Sequence, residues 1–381
     1  MRVGVVTVHN GQNYGASLQA YALVTKLRYS GFEAFLIDYR NAKIEDRISS
    51  YKRKEKNNSI KNILKNLRSL SSDMLFNTSQ HLRLVSEKFS SFHDMILDSD
   101  AGIFHTCAEM KKLNMCYDAF ICGSDQIWNY NITGLDETFF LLFANDAKKR
   151  ISYAPSLGMS SNSISPKLKA EIGEKLQHIG HLSVREENNK SLIEELTQRR
   201  CQTVVDPVLL FTVDEWFDLL EKADDVCPSQ PYAFYYPVIE QPELESFAMK
   251  EAIKRGWKLL NPRLVPKYAK AKGYTEVPKA IVGPSEFLKL LASSKAVFTN
   301  SFHATVFSAV FQKELYVVPL KGKHSIRNNR IFEYLKKIEV LTEQANDGRL
   351  IYIESGGFKN CDAILKTNRE LSIEYLLNSL K

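Results

Sequence analysis

No run of about 18 consecutive apolar residues, the length a helix needs to cross a bilayer, occurs anywhere in the 381 residues. An export signal is not expected either, because Met1-Arg2-Val3-Gly4-Val5-Val6 reads at once as a buried strand. The six cysteines, Cys107, Cys116, Cys122, Cys201, Cys227 and Cys361, are scattered and form no Cys-x-x-Cys pair. They read as reduced small hydrophobes rather than a disulfide framework. A cytosolic protein is the expectation. His-Glu-x-x-His, paired-Cys and EF-hand patterns are all missing, so no metal is expected. So are the Gly-x-Gly-x-x-Gly fingerprint, the Walker loop, the Gly-x-Ser-x-Gly elbow and any recognisable pair of glycosidase carboxylates. There is no internal repeat and no low-complexity tract.

What is present has the composition of an ordinary globular protein, with 44% apolar and 25% charged residues. A chain of this length suits two domains. The net charge of +7 is modest, but from Arg40 to Arg68 ten basic residues face only three acids, Glu45, Asp46 and Glu55. Such a block is either a solvated insertion or a surface for anionic headgroups or phosphates. Nucleic acid is not expected, since neither zinc-finger spacing nor an aromatic platform accompanies it.

Apolar runs alternate with helical stretches, which predicts an α/β fold. Strands are expected at Val3–Val8, Ala34–Asp38, Tyr117–Cys122, Arg150–Ala154, His181–Val184 and Thr203–Val205, with a helix over Ser17–Tyr29. Residues 41–105 break this rhythm and read as a basic helical insertion in a first domain spanning 1–220. The acidic, then Pro/Ser-bearing stretch Glu221–Pro231 suits a hinge. A second domain, 230–365, follows, with strands at Tyr232–Tyr236, Lys258–Leu260, Ala296–Thr299 and Leu315–Val318. Its helices are expected near Glu243–Arg255, Ser285–Ser293 and Ala304–Phe311, and residues 366–381 read as a C-terminal helix able to pack back on the first domain.

Ligands of open parallel sheets bind at the carboxyl ends of strands, so polar clusters there are the candidates. After the first strand, Asn13, Tyr14 and Gln19 lie in a segment with two glycines, Gly11 and Gly15, which permit a tight turn and close ligand approach. They offer neutral groups of the kind that read sugar hydroxyls, or else form a structural turn. In Gly123-Ser124-Asp125-Gln126-Ile127-Trp128-Asn129, Asp125 is placed to orient a hydroxyl and Trp128 to stack on a sugar. The other reading of that segment is an Asp helix cap with Trp128 in the core. Arg185, at a strand end, either clamps a carboxylate or phosphate or pairs with Glu186. In Thr299-Asn300-Ser301-Phe302-His303 a buried strand opens into an apolar helix. Ser301 and the first helical N–H groups form an anion cradle there, and His303 beside them suits proton transfer. A helix cap with a hydrogen-bonded histidine is the alternative. Lys321, Lys323, His324, Arg327, Asn328, Asn329 and Arg330 add positive charge, which points to an anionic ligand in the second domain.

Taken in order, Gly11 to Leu23, Gly123 to Asn129, Ser152-Tyr153-Ala154-Pro155-Ser156-Leu157-Gly158, Ser183-Val184-Arg185-Glu186, Asp206-Pro207 and Thr299 to His303 resemble the polysaccharide pyruvyltransferase family. The match runs from residue 1 to about 335. The resemblance implies two Rossmann-like domains arranged as in GT-B glycosyltransferases, with the active site in the cleft between them and no cofactor. It implies transfer of the pyruvyl group of phosphoenolpyruvate onto two hydroxyls of one sugar, giving a ketal and free phosphate in cell-surface or exported polysaccharide synthesis. His303 is then the general acid and Arg185 holds the donor, with Ser301, Asn300 and Arg330 as further donor-binding candidates. Asn13, Tyr14, Gln19, Asp125, Gln126, Trp128 and Ser156 face the acceptor. The acceptor of such an enzyme is a lipid-linked or nucleotide-linked sugar, which gives the basic block a reading as peripheral attachment to the inner face of the membrane. Ala304 departs from the family, where glycine usually follows this histidine. A GT-B glycosyltransferase using a nucleotide sugar, or a non-catalytic sugar-binding relative, are the other readings.

Overall fold

The computed structural model describes residues 1–46, 72–145, 149–159, 163–263, 274, 276, 278–340 and 350–381, with the backbone alone at 72–79 and at Lys323. Strand β1 (Arg2–Val6) leads through a loop into helix α1 (Tyr14–Tyr29), and β2 (Glu33–Leu36) returns parallel to β1. Val3, Val5 and Val6 are fully buried, as a strand covered on both faces requires. The helix starts ahead of the expected Ser17 because the Asn13 side chain accepts from Ala16 N at 3.3 Å and caps it. Gly31, at φ 87°, takes the left-handed turn that lets the chain reverse into β2.

Next come β3 (Asp38–Tyr39), α2 (Ser72–Asp94), β4 (Ile103–Phe104), β5 (Ala119–Cys122), β6 (Arg150–Ser152), α3 (Pro166–Leu176), β7 (Leu182–Val184), α4 (Glu187–Thr197), β8 (Cys201–Thr203) and α5 (Val213–Glu221). The first sheet has the order β2-β1-β5-β6, all parallel. The parallel pair β7-β8 extends it through Ser152, whose N–H donates to His181 O at 3.0 Å. The second lobe contains β9 (Tyr232–Tyr236), α6 (Pro242–Lys254), β10 (Lys258–Leu260), α7 (Pro284–Ser293), β11 (Ala296–Thr299), α8 (Phe302–Val310), β12 (Glu314–Val317), α9 (Asn328–Lys337) and β13 (Ile351–Ile353). Its sheet runs β10-β9-β11-β12-β13, parallel except for β13. This is the α/β architecture of two Rossmann-like lobes. The sequence reading missed β13, an edge strand of three residues that buries only Ile351 and Ile353.

Most of the basic block, from Arg47 to Arg68, lies outside the described residues. The helix that follows it, α2, lies against both lobes. Phe89 packs on Tyr14 with ring centroids 5.1 Å apart, and Lys88 reaches Glu286 of α7 at 3.0 Å. Helix α10 (Asp362–Leu380) lies on the first lobe, where Ser372 Oγ accepts from Val205 N at 3.0 Å and Tyr375 OH donates to Ser152 O at 3.0 Å.

The lobes share one apolar core rather than touching through polar surface. Tyr14 of α1 stacks on Phe287 of α7 with centroids 4.3 Å apart, and Trp216 of α5 meets Phe307 of α8 edge-on at 5.1 Å. Buried aromatic area of this kind dominates interface energetics. It holds the carboxyl ends of β1, β5 and β8 in one place relative to the start of α8.

Candidate active site

Asp206, immediately after β8, is where the two lobes meet. Its carboxylate is buried and accepts from Arg185 Nη1 at 2.7 Å, from Ser124 Oγ at 3.3 Å and from Val208 N at 3.2 Å. From the second lobe His303 Nε2 comes to 3.6 Å of the same Oδ2. Burial alone would raise this carboxyl, but His303 and Arg185 more than offset it and hold Asp206 well below the ordinary carboxylate range. One carboxylate thus orients a guanidinium from the end of β7 and an imidazole from the start of α8.

Arg185 also donates from Nε to Glu186 Oε1 at 2.9 Å, and its guanidinium lies 4.6 Å from the centre of the Phe302 ring. Burial works against its charge, but Glu186 and Asp206 keep it firmly protonated. Two buried polar atoms remain without a hydrogen bond here, Arg185 Nη2 and His303 Nε2. Buried donors are rarely left unmatched, so the pair marks where an anionic or polar ligand atom belongs.

The imidazole is held from its other side by Gly15. A methyl group built there would stand 2.5 Å from His303 Cγ and closer still to Nδ1. The close approach that this glycine permits is therefore to a catalytic candidate across the cleft. Ser301 caps α8, its Oγ accepting from Ala304 N at 3.4 Å. Ala304 is fully buried and its methyl belongs to the apolar core between the lobes, so this departure from the family pattern does not open on the cleft.

Arg330, at the start of α9, approaches Asp125 Oδ1 at 3.8 Å and lies 5.6 Å from the Phe302 ring centre. Gln126 sits between it and Asn129. With the Gln126 amide oxygen turned toward Arg330 it accepts from Nη1 at 3.1 Å and from Nη2 at 3.2 Å. Burial, helped by the neighbouring Arg185, pulls the Arg330 guanidinium down to about 10. One turn further along α9, burial and the carboxylates of Glu186 and Glu187 push Glu333 up to about 7.

The structure thus brings together His303, Arg185, Ser301, Arg330, Asp125 and Gln126, and Asn13 joins them as the cap of α1, one residue from Tyr14 and two from Gly15. It places the other candidates in supporting roles. Asn300 is bound up in its own lobe, accepting from Val238 N at 2.7 Å and donating to Gln241 Oε1 at 2.8 Å, so its amide has no free group for a donor. Tyr14 is buried between the lobes, with its hydroxyl on Val282 O. Gln19 is buried and donates to Thr7 Oγ1 at 3.1 Å. Trp128 is fully buried, stacked on Phe140 and bonded to Phe139 O at 3.0 Å, and so presents no face to a sugar. Ser156 is buried and accepts from Gly158 N at 3.0 Å.

Sequence reasoning gave no role to Asp206 or Phe302, and expected at Gly15 a tight turn and the close approach of a ligand rather than of His303. The Asp206-Pro207 pair at a strand end was the available signal. A second polar group sits beyond the end of β1 and at the start of β3, where His9 faces Asp38 at 3.2 Å and Ser17 Oγ meets His93 Nε2 at 2.9 Å. Burial, with the neighbouring His9, pushes His93 down to about 3. No group of three or more metal-ligating side chains occurs among the described residues.

Comparison with known proteins adds the following. A family model described as polysaccharide pyruvyl transferase matches residues 13–321. Among solved structures, the UDP-GlcNAc 2-epimerase of Neisseria meningitidis bound to UDP-GlcNAc is similar at TM-score 0.49 and 10% identity, covering 99% of this chain and 100% of that one. The UDP-GlcNAc 2-epimerase of Methanocaldococcus jannaschii gives TM-score 0.47 and 11% identity over 96% and 99% of the two chains. An alpha-glucosyltransferase in complex with UDP gives 0.45 and 11% over 99% and 95%. No curated protein matches the chain.

Proposed function

The chain belongs to the polysaccharide pyruvyl transferase family, and on that premise we propose that it moves the pyruvyl group of phosphoenolpyruvate onto two hydroxyls of one sugar. The observation that carries this reading is the Asp206 carboxylate, buried at the junction of the lobes with Arg185 and His303 gathered on one oxygen. A buried anion that orients a guanidinium and an imidazole, each with a buried nitrogen left without a hydrogen bond, suits a small ligand that is negatively charged and must receive a proton.

His303 donates a proton to the methylene carbon of the enol, which becomes the methyl group. The adjacent carbon turns electrophilic, one sugar hydroxyl bonds to it, and the C–O bond to phosphate breaks. The second hydroxyl then closes the ketal ring. Of the two protons the hydroxyls lose, one replaces that spent by His303 and the other leaves with phosphate. Arg185, through its open N–H, and Arg330 hold the donor's carboxylate and phosphate, while Ser301 and the first N–H groups of α8 add the dipole of a helix start. Asp206 fixes the imidazole and keeps Arg185 from swinging onto the wrong oxygen. Asn13, Asp125 and Gln126 face the acceptor from the first lobe. The acceptor is a sugar of a cell-surface or exported polysaccharide, carried on a lipid or a nucleotide.

The test is phosphate release from phosphoenolpyruvate with candidate lipid-linked and nucleotide-linked sugars, comparing the wild type with His303→Ala and Arg185→Ala. A positioned proton-transfer group contributes roughly 10²–10⁴-fold, and a loss of that order in both variants is expected. Undiminished turnover by His303→Ala would overturn the mechanism. Consumption of a nucleotide sugar without phosphoenolpyruvate identifies a glycosyltransferase instead, and sugar binding without turnover a binding protein.

A further inference from the structure

The Phe302 ring lies beside two guanidinium groups. The Cζ atoms of Arg185 and Arg330 lie 4.6 and 5.6 Å from the centre of its ring, both within the range in which a cation is attracted to an aromatic face. The arginines come from different lobes, one after β7 and one at the start of α9, and the ring is a neutral surface that both touch beside the carboxylates of Asp125 and Glu186. The two arginines also repel each other. The charge on Arg185 is second only to burial among the causes that lower Arg330, so two like charges are held close at a cost that an anion bound by both removes.

The ring itself is locked. Phe302 is buried, packs edge-on against His303 at 5.3 Å and against Tyr334 at 6.1 Å, and follows Ser301, the cap of α8. Its position is set by the same helix start that places the imidazole. Arg185 keeps Nη2 open, and its other nitrogens are taken by Asp206 and Glu186. Arg330 is tied on the far side to Asp125 and Gln126.

We propose that Phe302 is the specificity-determining platform of this site. Its ring fixes the spacing of Arg185 and Arg330 and so selects a ligand carrying two anionic groups on one small skeleton over a ligand carrying one. This rests on reading the site as the donor pocket, and phosphoenolpyruvate, with a carboxylate and a phosphate, is a ligand of that class. Phe302 acts through the two arginines and is a positioning residue.

The experiment measures binding to the full chain by calorimetry, with phosphoenolpyruvate, pyrophosphate, inorganic phosphate and pyruvate as probes. Phe302→Leu removes the aromatic face. Phe302→pentafluorophenylalanine keeps the shape and reverses the sign of the face. Phe302→Tyr keeps both. A melting curve for each variant confirms that it is folded. The wild type should bind phosphoenolpyruvate more tightly than inorganic phosphate or pyruvate. The Leu and fluorinated variants should lose roughly thirtyfold in phosphoenolpyruvate affinity, the size of a desolvated cation–π contact. Their affinity for inorganic phosphate should hold, and Phe302→Tyr should bind like the wild type. In turnover, KM for the donor should rise well ahead of any fall in kcat. Equal weakening toward all probes, an unchanged phosphoenolpyruvate affinity in the fluorinated variant, or a wild type that binds no two-anion probe, each overturns the proposal. If the wild type takes pyrophosphate but not phosphoenolpyruvate and the same variants lose that binding, the platform stands and the pyruvyl reading falls.

Discussion

Replacing Gly15 by alanine inserts a single methyl group between the lobes, where its consequences are separable. The added carbon would lie 2.5 Å from His303 Cγ and 3.0 Å from its Cβ, whereas ordinary van der Waals contact begins at 3.4 Å. The imidazole must therefore retreat by roughly 1 Å, a displacement that by itself costs about 10²-fold when a reacting group is misplaced. It cannot do so freely, because Phe302 packs edge-on against it and Asp206 holds its other edge. Stability should move far less. Alanine favours a helix over glycine by up to ~1 kcal/mol, which partly offsets an overpacking cost of about 1–3 kcal/mol. The net loss on these figures stays within ~2 kcal/mol. Steady-state kinetics beside a denaturant titration reads both quantities. A double mutant sharpens the test, because removing the imidazole removes the clash. Gly15→Ala added to His303→Ala should cost little further activity, since residues acting as one unit are strongly non-additive. Wild-type kcat/KM in Gly15→Ala, or full additivity in the pair, would refute the reasoning that this glycine holds His303.

Two more expectations follow from the site and the charge pattern. Asp206→Asn should destabilise the protein at neutral pH by roughly 3–5 kcal/mol, the cost of breaking a buried ion pair. Because the folded carboxyl is depressed, its contribution is present above the unfolded carboxylate value near ~3.9 and is lost as pH falls toward the folded one. The variant's stability should accordingly fall less steeply than the wild type's below about pH 4, and a wild-type slope in the variant would remove Asp206 as the anchor. For the basic block between Arg40 and Arg68, peripheral attachment predicts that the chain floats with vesicles containing anionic lipid and not with neutral ones, at about 1 kcal/mol per basic side chain near the surface. Equal flotation with both would remove that attachment. None of the helices among the described residues is long and apolar enough to cross a membrane.

Much of the fold was legible because buried parallel strands are nearly continuous apolar runs, as Ala119 to Cys122 and Tyr232 to Tyr236 show. β13 was not, since three residues with one exposed position carry too little pattern. Within the site, Arg185 and His303 became candidates because each follows a strand at the carboxyl end of a parallel sheet, and the ordered motifs of the family resemblance gave them their expected roles. Trp128, Tyr14 and Gln19 have the chemistry of sugar ligands and lie in equally suitable segments, yet they are buried. Nothing local distinguishes an aromatic ring aimed at a sugar from one stacked on Phe140.

The sequence by itself determined the family and the two-lobed α/β architecture, because strand periodicity and ordered motifs are local properties of the chain. Only the tertiary structure decided that Asp206 holds Arg185 and His303 on one oxygen, that Gly15 is small for the sake of an imidazole in the other lobe, and that Phe302 lies beside two guanidinium groups. Each of these joins segments apart in the chain: Arg185 meets Asp206 because β7 and β8 lie side by side, and His303 meets Asp206 and Gly15 because the apolar faces of the two lobes are buried against each other. No spacing along the sequence encodes which side chains that burial brings face to face.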